Sequence, residues 1–258
     1  MRIARVSYGG GISFGVIEGS EVAEIDGPPI GHLTFTGKRA PLADCRLLAP
    51  VLPSKVVAVG LNYRDHAEEM GHALPEEPLI FLKPGTAVIG PDDTVRKPPE
   101  CQRLDYEGEL AVVIGGLVRN ADRATAEAAI LGYTIANDVT ARDLQMKDIQ
   151  WTRGKGYDTF CPLGPWIDTD IDASGLDLEV RVNGESKQRS NTKNLIFDAP
   201  SLVSFISGVM TLLPGDVILT GTPSGVGPME PGDSCEVEIS GIGVLRNAVV
   251  AAARPDAG

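Results

Sequence analysis

Glycine occurs 30 times and proline 19 times in the chain, scattered rather than gathered in a linker. Breaks at such short intervals leave little room for long helices and favour many short strands joined by turns. Apolar runs between the breaks predict strands at Arg2–Ser7, Ser13–Glu18, Val22–Ile25, Lys55–Val59, Leu79–Leu82 and Leu110–Ile114. Further runs lie at Tyr133–Ala136, Leu178–Val182, Val217–Leu219, Glu236–Ile239 and Val244–Val250. Helical patterns are fewer, at Asp65–Met70, Arg123–Leu131, Ala141–Lys147 and Pro200–Met210. Asn183-Gly184 after a strand reads as a hairpin turn, since both residues tolerate positive φ. The pattern is neither a regular βαβ repeat nor an even meander, so the expected class is a β-rich α+β fold. Pro50 and Pro53 mark a boundary. Residues 1–50 are expected to form a small N-terminal β subdomain, and residues 55–250 the main domain.

With 258 residues the chain can bury a core without a staple. It carries 23 basic and 35 acidic residues, a net charge of −12. That balance argues against nucleic-acid and anionic-membrane partners, which need a basic surface. It leaves room for a small anionic substrate in a local basic pocket. The start of the sequence has no apolar segment of signal-peptide length, and the longest uncharged run, Ala199–Gly215, is too polar to span a bilayer. Cys45, Cys101, Cys161 and Cys235 form no C-x-x-C pair. A cytoplasmic protein with free thiols is the expectation.

Several chemistries are absent from the sequence. There is no phosphate-binding GxxxxGK[ST], no H-E-x-x-H, and no G-x-G-x-x-G after a strand. Gly221-Thr222-Pro223-Ser224-Gly225 has proline at the position where a G-x-S-x-G elbow would place its nucleophilic serine, and the three histidines are scattered. What remains is acidic. In an extended segment Glu107 and Glu109 project to one side, about 6.5–7 Å apart along the strand. Asp138 follows the apolar run Tyr133–Ala136. Three carboxylates without thiol or imidazole suit a hard ion, Mg²⁺ or Mn²⁺, and admit Ca²⁺. On spacing alone the same residues also serve as a solvated strand edge and a helix cap.

Six strings in order decide between these readings. They are Gly60-Leu61-Asn62-Tyr63-Arg64-Asp65-His66, Phe81-Leu82-Lys83-Pro84, Asp105-Tyr106-Glu107-Gly108-Glu109-Leu110, Asn137-Asp138-Val139-Thr140-Ala141-Arg142-Asp143, Gly154-Lys155-Gly156-Tyr157-Asp158-Thr159-Phe160 and Gly221-Thr222-Pro223-Ser224-Gly225-Val226-Gly227. Together they resemble the fumarylacetoacetate hydrolase superfamily, above all its small bacterial members and the related acylpyruvases, oxaloacetate decarboxylases and hydroxyheptadienedioate isomerases. The resemblance implies a mixed β-sandwich roll and a homodimer. It implies a Mg²⁺ or Mn²⁺ ion on Glu107, Glu109 and Asp138. The implied substrates are 2-oxo acids with a second carbonyl or carboxylate at C4, or their enol and diene relatives.

These reactions share the enolate of a 2-oxo acid, which a Lewis-acidic ion and nearby cations stabilise. Lys155, between two glycines, is the first candidate cation, with Lys83 and Arg142 as further ones. His66 and Glu69, three apart on a short helix, can pair as a water-activating base, the role that the resemblance implies for them. Thr222, in a Gly-Thr-Pro turn, offers a hydroxyl and backbone N–H groups to a substrate carboxylate. Gln145 and Tyr157 are expected in the pocket wall, and Trp151 and Trp166 in packing. The expected activity is acylpyruvate-type hydrolysis or oxaloacetate decarboxylation. Isomerisation of a 2-hydroxy-dienoate, or a metal- or ligand-binding protein of this fold without activity, are the alternatives.

Overall fold

The run Lys55–Gly60 is a strand whose apolar residues point alternately to two covered faces, which is why it reads as continuously hydrophobic. A computed structural model describes residues 1–69 and 73–253, apart from the side chains of His66, Ala67 and Glu69. In it this strand pairs in parallel with Val217–Leu219, and that strand pairs antiparallel with Gly108–Ile114. Val57, Val59, Val112, Ile114 and Ile218 meet the helix Ala199–Val209 through Leu202, Val203 and Ile206. Val56, Ala58, Ala111, Val113, Val217 and Leu219 face the opposite way and pack with Ile3, Val16 and Ile25. The two faces follow the two-residue period of a strand.

These strands belong to a 12-stranded sheet. From one edge its main path runs through Phe35–Pro41, Glu21–Ile25, Gly11–Glu18, Arg2–Tyr8, Cys161–Asp168 and Ile130–Asn137. It continues through Gly108–Ile114, Val217–Leu219, Lys55–Gly60 and Leu79–Pro84. The strands of the first 50 residues extend this sheet, since Arg2 and Ile3 pair with Asp168 and Ile167. Contacts between its two halves curl the sheet into a roll. A five-stranded sheet, Glu185–Asn191, Asp177–Val182, Ser234–Ile239, Gly243–Ala251 and Thr94–Lys97, covers it through Val180, Val237 and Leu245, which pack with Leu110 and Ile135. A three-stranded sheet joins Thr140–Ala141, Leu104–Tyr106 and Gly227–Met229. The result is the β-rich α+β roll that the sequence predicts.

Five α-helices are described: α1 Arg64–Glu69, α2 Arg123–Ala128, α3 Arg142–Lys147, α4 Thr152–Lys155 and α5 Ala199–Val209. Helix α2 stops three residues short of the expected Leu131, because Ile130 begins a strand paired with Ile114. The strand Cys161–Asp168 was hidden by Pro162, Gly164 and Pro165, which read as breaks. Its ladder with Ile130–Asn137 accommodates them through an irregular register between Tyr133 and Ile135. Among the described residues no helix is long and apolar enough to cross a membrane.

Candidate active site

The sheet register places the acidic residues. Gly108 pairs with Asn137 and Glu109 with Ala136, so Asp138 emerges beside Glu107. The Asp138 amide donates to Glu107 O at 2.8 Å, and the Glu107 amide donates to Asn137 Oδ1 at 2.9 Å. Glu107 lies in the break between Leu104–Tyr106 and Gly108–Ile114, not inside one continuous strand. Glu109 shares the strand face of Ala111 and Val113, which line the interior of the roll. All three carboxylates are buried, and one oxygen from each lies within 4.8 Å of the others.

Four cations pair with Glu107 and Asp138 of the triad and with the neighbouring Asp105. Lys155, at the end of α4, donates to Glu107 Oε2 at 2.8 Å and to Asp138 Oδ2 at 2.6 Å. Lys83, on Leu79–Pro84, donates to Asp138 Oδ1 and, at 3.2 Å, to Val139 O. Arg142 donates to Glu107 Oε1, to Asp105 Oδ2 at 2.8 Å and to Gln145 Oε1 at 2.6 Å. Arg103 closes the set with a 2.8 Å bond to Asp105 Oδ1. Glu109 is held differently: its Oε2 accepts the Gly221 amide at 2.6 Å. Gly221 has φ +96°, and a Cβ there would lie 2.8 Å from Asn62 Cβ, so the position requires glycine.

The electrostatics divide the triad. Burial raises the Glu107 carboxyl, but Lys155 and Arg142 outweigh it and bring the group down to about 2. Burial pushes Glu109 well up, and the charges of Asp138 and Glu107 push it further. Burial lowers Lys155, but Asp138 and Glu107 more than compensate, so its ammonium is held charged. An added cation at the point where the three carboxylates converge relieves the strain on Glu109. The donor set is all oxygen, anionic and buried, so it fits a divalent ion of the Mg²⁺ or Mn²⁺ type.

The triad opens into a cavity of about 340 Å³. Lys155, Arg142, Gln145 and Thr222 contribute its polar sides. Val59, Leu61, Leu79, Phe81, Met146 and Trp151 form an apolar wall.

The structure thus brings Lys155, Arg142, Gln145 and Thr222 together with the triad, and it alters several expectations. Lys83 is fully buried behind Asp138 and does not line the cavity, so it holds a triad member in place and does not reach a substrate. Tyr157 does not line it either, because its hydroxyl donates to Glu100 at 2.7 Å. The Thr222 hydroxyl donates to Gly108 O at 3.0 Å and accepts from Gln188 at 2.9 Å, which commits its proton away from a substrate carboxylate. Trp151, expected in packing, lines the cavity, and so does Phe81. The only sequence signal for Phe81 was its place beside Lys83, and Trp151 had none. His66 and Glu69 lie on α1, and their side chains fall outside the described residues.

Comparison with known proteins identifies the family of the chain. Residues 55–250 match the family model of the fumarylacetoacetate (FAA) hydrolase C-terminal domain, and residues 1–50 match an Rv2993c-like N-terminal model. A 5-carboxymethyl-2-hydroxymuconate delta-isomerase structure from Mycobacterium smegmatis superposes with a TM-score of 0.93 at 52% identity, covering 98% of this chain and 100% of that one. A maleylpyruvate hydrolase structure from Sphingobium sp. SYK-6, in complex with manganese(II) and pyruvate, gives 0.81 at 33% identity with the same coverage, 98% and 100%. The mitochondrial oxaloacetate tautomerase FAHD2A of Bos taurus is 45% identical over 223 residues, which is 81% of this chain and 71% of that one. With the family model matched over most of its length, the chain belongs to the fumarylacetoacetate hydrolase family.

Proposed function

We propose that the chain is a divalent-metal-dependent enzyme that breaks the C3–C4 bond of 2-oxo acids bearing a carbonyl or carboxylate at C4. The observation that supports this most is Lys155, a buried ammonium held against two of three carboxylates at a cavity wall. An ion on Glu107, Glu109 and Asp138 supplies Lewis-acid polarisation of the 2-oxo group. Lys155 supplies fixed positive charge where negative charge develops on the C2 oxygen. Its two ion pairs hold it in place beforehand, so little reorganisation accompanies the reaction. Arg142 and Gln145 orient the C1 carboxylate, and Asp105 keeps the Arg142 guanidinium in position. Phe81 and Trp151 keep bulk water from the reacting carbons.

In decarboxylation the C3–C4 electron pair moves into the C2 enolate as CO₂ leaves, and the enolate is then protonated at C3. In hydrolysis His66, oriented by Glu69, takes a proton from water, and the hydroxide adds to the C4 carbonyl. The C3–C4 bond then breaks, giving a carboxylic acid and the same enolate. The name of the manganese- and pyruvate-bound relative, a maleylpyruvate hydrolase, supports this cleavage. A second reading is proton transfer alone, tautomerisation or isomerisation, which needs no water-activating base. The names of the tautomerase and delta-isomerase relatives support it. The test is to incubate the Mg²⁺-loaded protein with oxaloacetate, an acylpyruvate and a hydroxymuconate-type dienoate, and to follow pyruvate. Pyruvate release that EDTA abolishes is expected. Enol–keto interconversion without pyruvate would replace cleavage by the second reading.

A further inference from the structure

Resting on the reading of the site as one for 2-oxo acids, we propose that the preferred substrate carries no charge beyond C4, and that Phe81 and Trp151 select an uncharged, apolar tail. The first support is the local charge balance. Asp105, Glu107, Glu109 and Asp138 are buried together. Among the described residues they meet four cations, Lys83, Arg103, Arg142 and Lys155, each already paired with at least one of them. With all four carboxylates ionised, the four cations make the cluster neutral by itself. A divalent ion adds two positive charges, and the C1 carboxylate and the developing enolate oxygen balance them. Oxaloacetate keeps this balance, because its C4 carboxylate departs as neutral CO₂. A carboxylate further along a tail meets no remaining cation among the described lining residues.

The second support is the wall itself. Phe81 and Trp151 meet edge to face, with ring centroids 5.2 Å apart and an interplanar angle of 72°. The Lys155 ammonium lies 5.1 Å from the Phe81 ring centroid, so the apolar wall begins at the cation beside the reacting carbons. Gly60 makes room for it: a Cβ there would lie 3.2 Å from Trp151 Cζ3 and 3.3 Å from Leu79 Cδ2. A C4 substituent leaving the reacting centre runs along these rings. An apolar or aromatic group gains by that burial, whereas a carboxylate loses hydration without finding a partner.

The test uses the full chain loaded with Mg²⁺. Acylpyruvates that share the pyruvoyl head and differ in the tail, methyl or phenyl against carboxyvinyl, are compared by kcat/KM. Non-reacting oxamates, N-phenyl against N-carboxymethyl, are compared by calorimetric Kd. The neutral tails are expected to lead by at least about 10-fold in both measurements, and Trp151→Ala to erase that lead. Met146→Arg, at a cavity-lining position with 81% exposure, is expected to improve binding of the N-carboxymethyl oxamate. Equal or better use of the carboxylate tails by the unaltered protein overturns the proposal. A panel that is inert to turnover while the oxamates still rank as expected contradicts the cleavage reading and supports the tail selection. Failure of both oxamates to bind overturns both.

Discussion

The Lys155 ammonium and the Asp138 carboxylate face each other at 2.6 Å, each side chain only 2% exposed. A buried pair of this kind is costly to form and costly to break from one side. Lys155 also reaches Glu107, so one cation spans two of the three carboxylates that converge on the proposed metal position. On the proposed function, it competes with an ion for those carboxylates while supplying charge to the reaction.

Lys155→Met is accordingly expected to lower kcat by about 10²–10³, the typical cost of removing one preorganised charge-stabilising group. Mn²⁺ affinity should stay the same or rise, since a competing cation is gone. Steady-state kinetics with a parallel Mn²⁺ titration checks both halves. An unchanged kcat would reduce Lys155 to a structural charge.

Lys83 acts from behind the site. Its side chain is fully buried, and it bonds Asp138 and the Val139 carbonyl. Lys83→Met leaves Asp138 without one of its two ammonium partners. The expected loss is about 3–5 kcal/mol of unfolding free energy in urea. Arg103→Ala, whose side chain is 52% exposed, should cost less than about 1 kcal/mol.

The sequence showed some of this and not the rest, for definite reasons. Lys55–Gly60 and Val217–Leu219 were visible because both their faces are covered, leaving uninterrupted apolar runs. The strand Glu185–Asn191 was not, because only Gln188 of its seven residues is buried and the rest are polar. Glu107, Glu109 and Asp138 were legible as candidates from residue type and motif. Their convergence depends on the pairing of Glu109 with Ala136, which local pattern does not encode. Trp151 and Gly60 stand some 90 residues apart, and only the fold makes one a wall and the other the space for it. Tyr157 was misread because nothing local signals its bond to Glu100.

The pH dependence of stability should show Asp216. Its carboxylate accepts from Ser54 Oγ at 2.6 Å, Leu213 N at 2.8 Å and Lys55 N at 3.2 Å, and it pairs with the Lys55 ammonium. Burial raises this carboxyl, but those bonds, led by Lys55 and Ser54, bring it below the ordinary aspartate value. A depressed folded value means that the stabilisation is present above the unfolded value of about 3.9 and is lost as pH falls through the folded value. Asp216→Asn should therefore cost about 1–3 kcal/mol at neutral pH. Urea melts across pH should show the gap to the unaltered protein closing below about pH 4.

On the proposed function, substitution of His66 is expected to separate the two cleavage reactions. Water attack on C4 needs a base, and loss of CO₂ does not. His66→Ala should lower acylpyruvate hydrolysis by about 10²–10⁴ and oxaloacetate decarboxylation by much less. Equal losses in both would assign His66 to closing the site and not to activating water.

The central claim is that Glu107, Glu109 and Asp138 hold one divalent ion on which activity depends. Its most direct test is a calorimetric Mn²⁺ titration of EDTA-stripped protein, run alongside Glu109→Gln. The unaltered chain is predicted to bind one ion. Glu109→Gln, checked for fold by circular dichroism, is predicted to lose affinity by more than the about 10–100-fold typical of removing an outer-sphere partner. Identical Mn²⁺ isotherms for the two proteins would contradict the account.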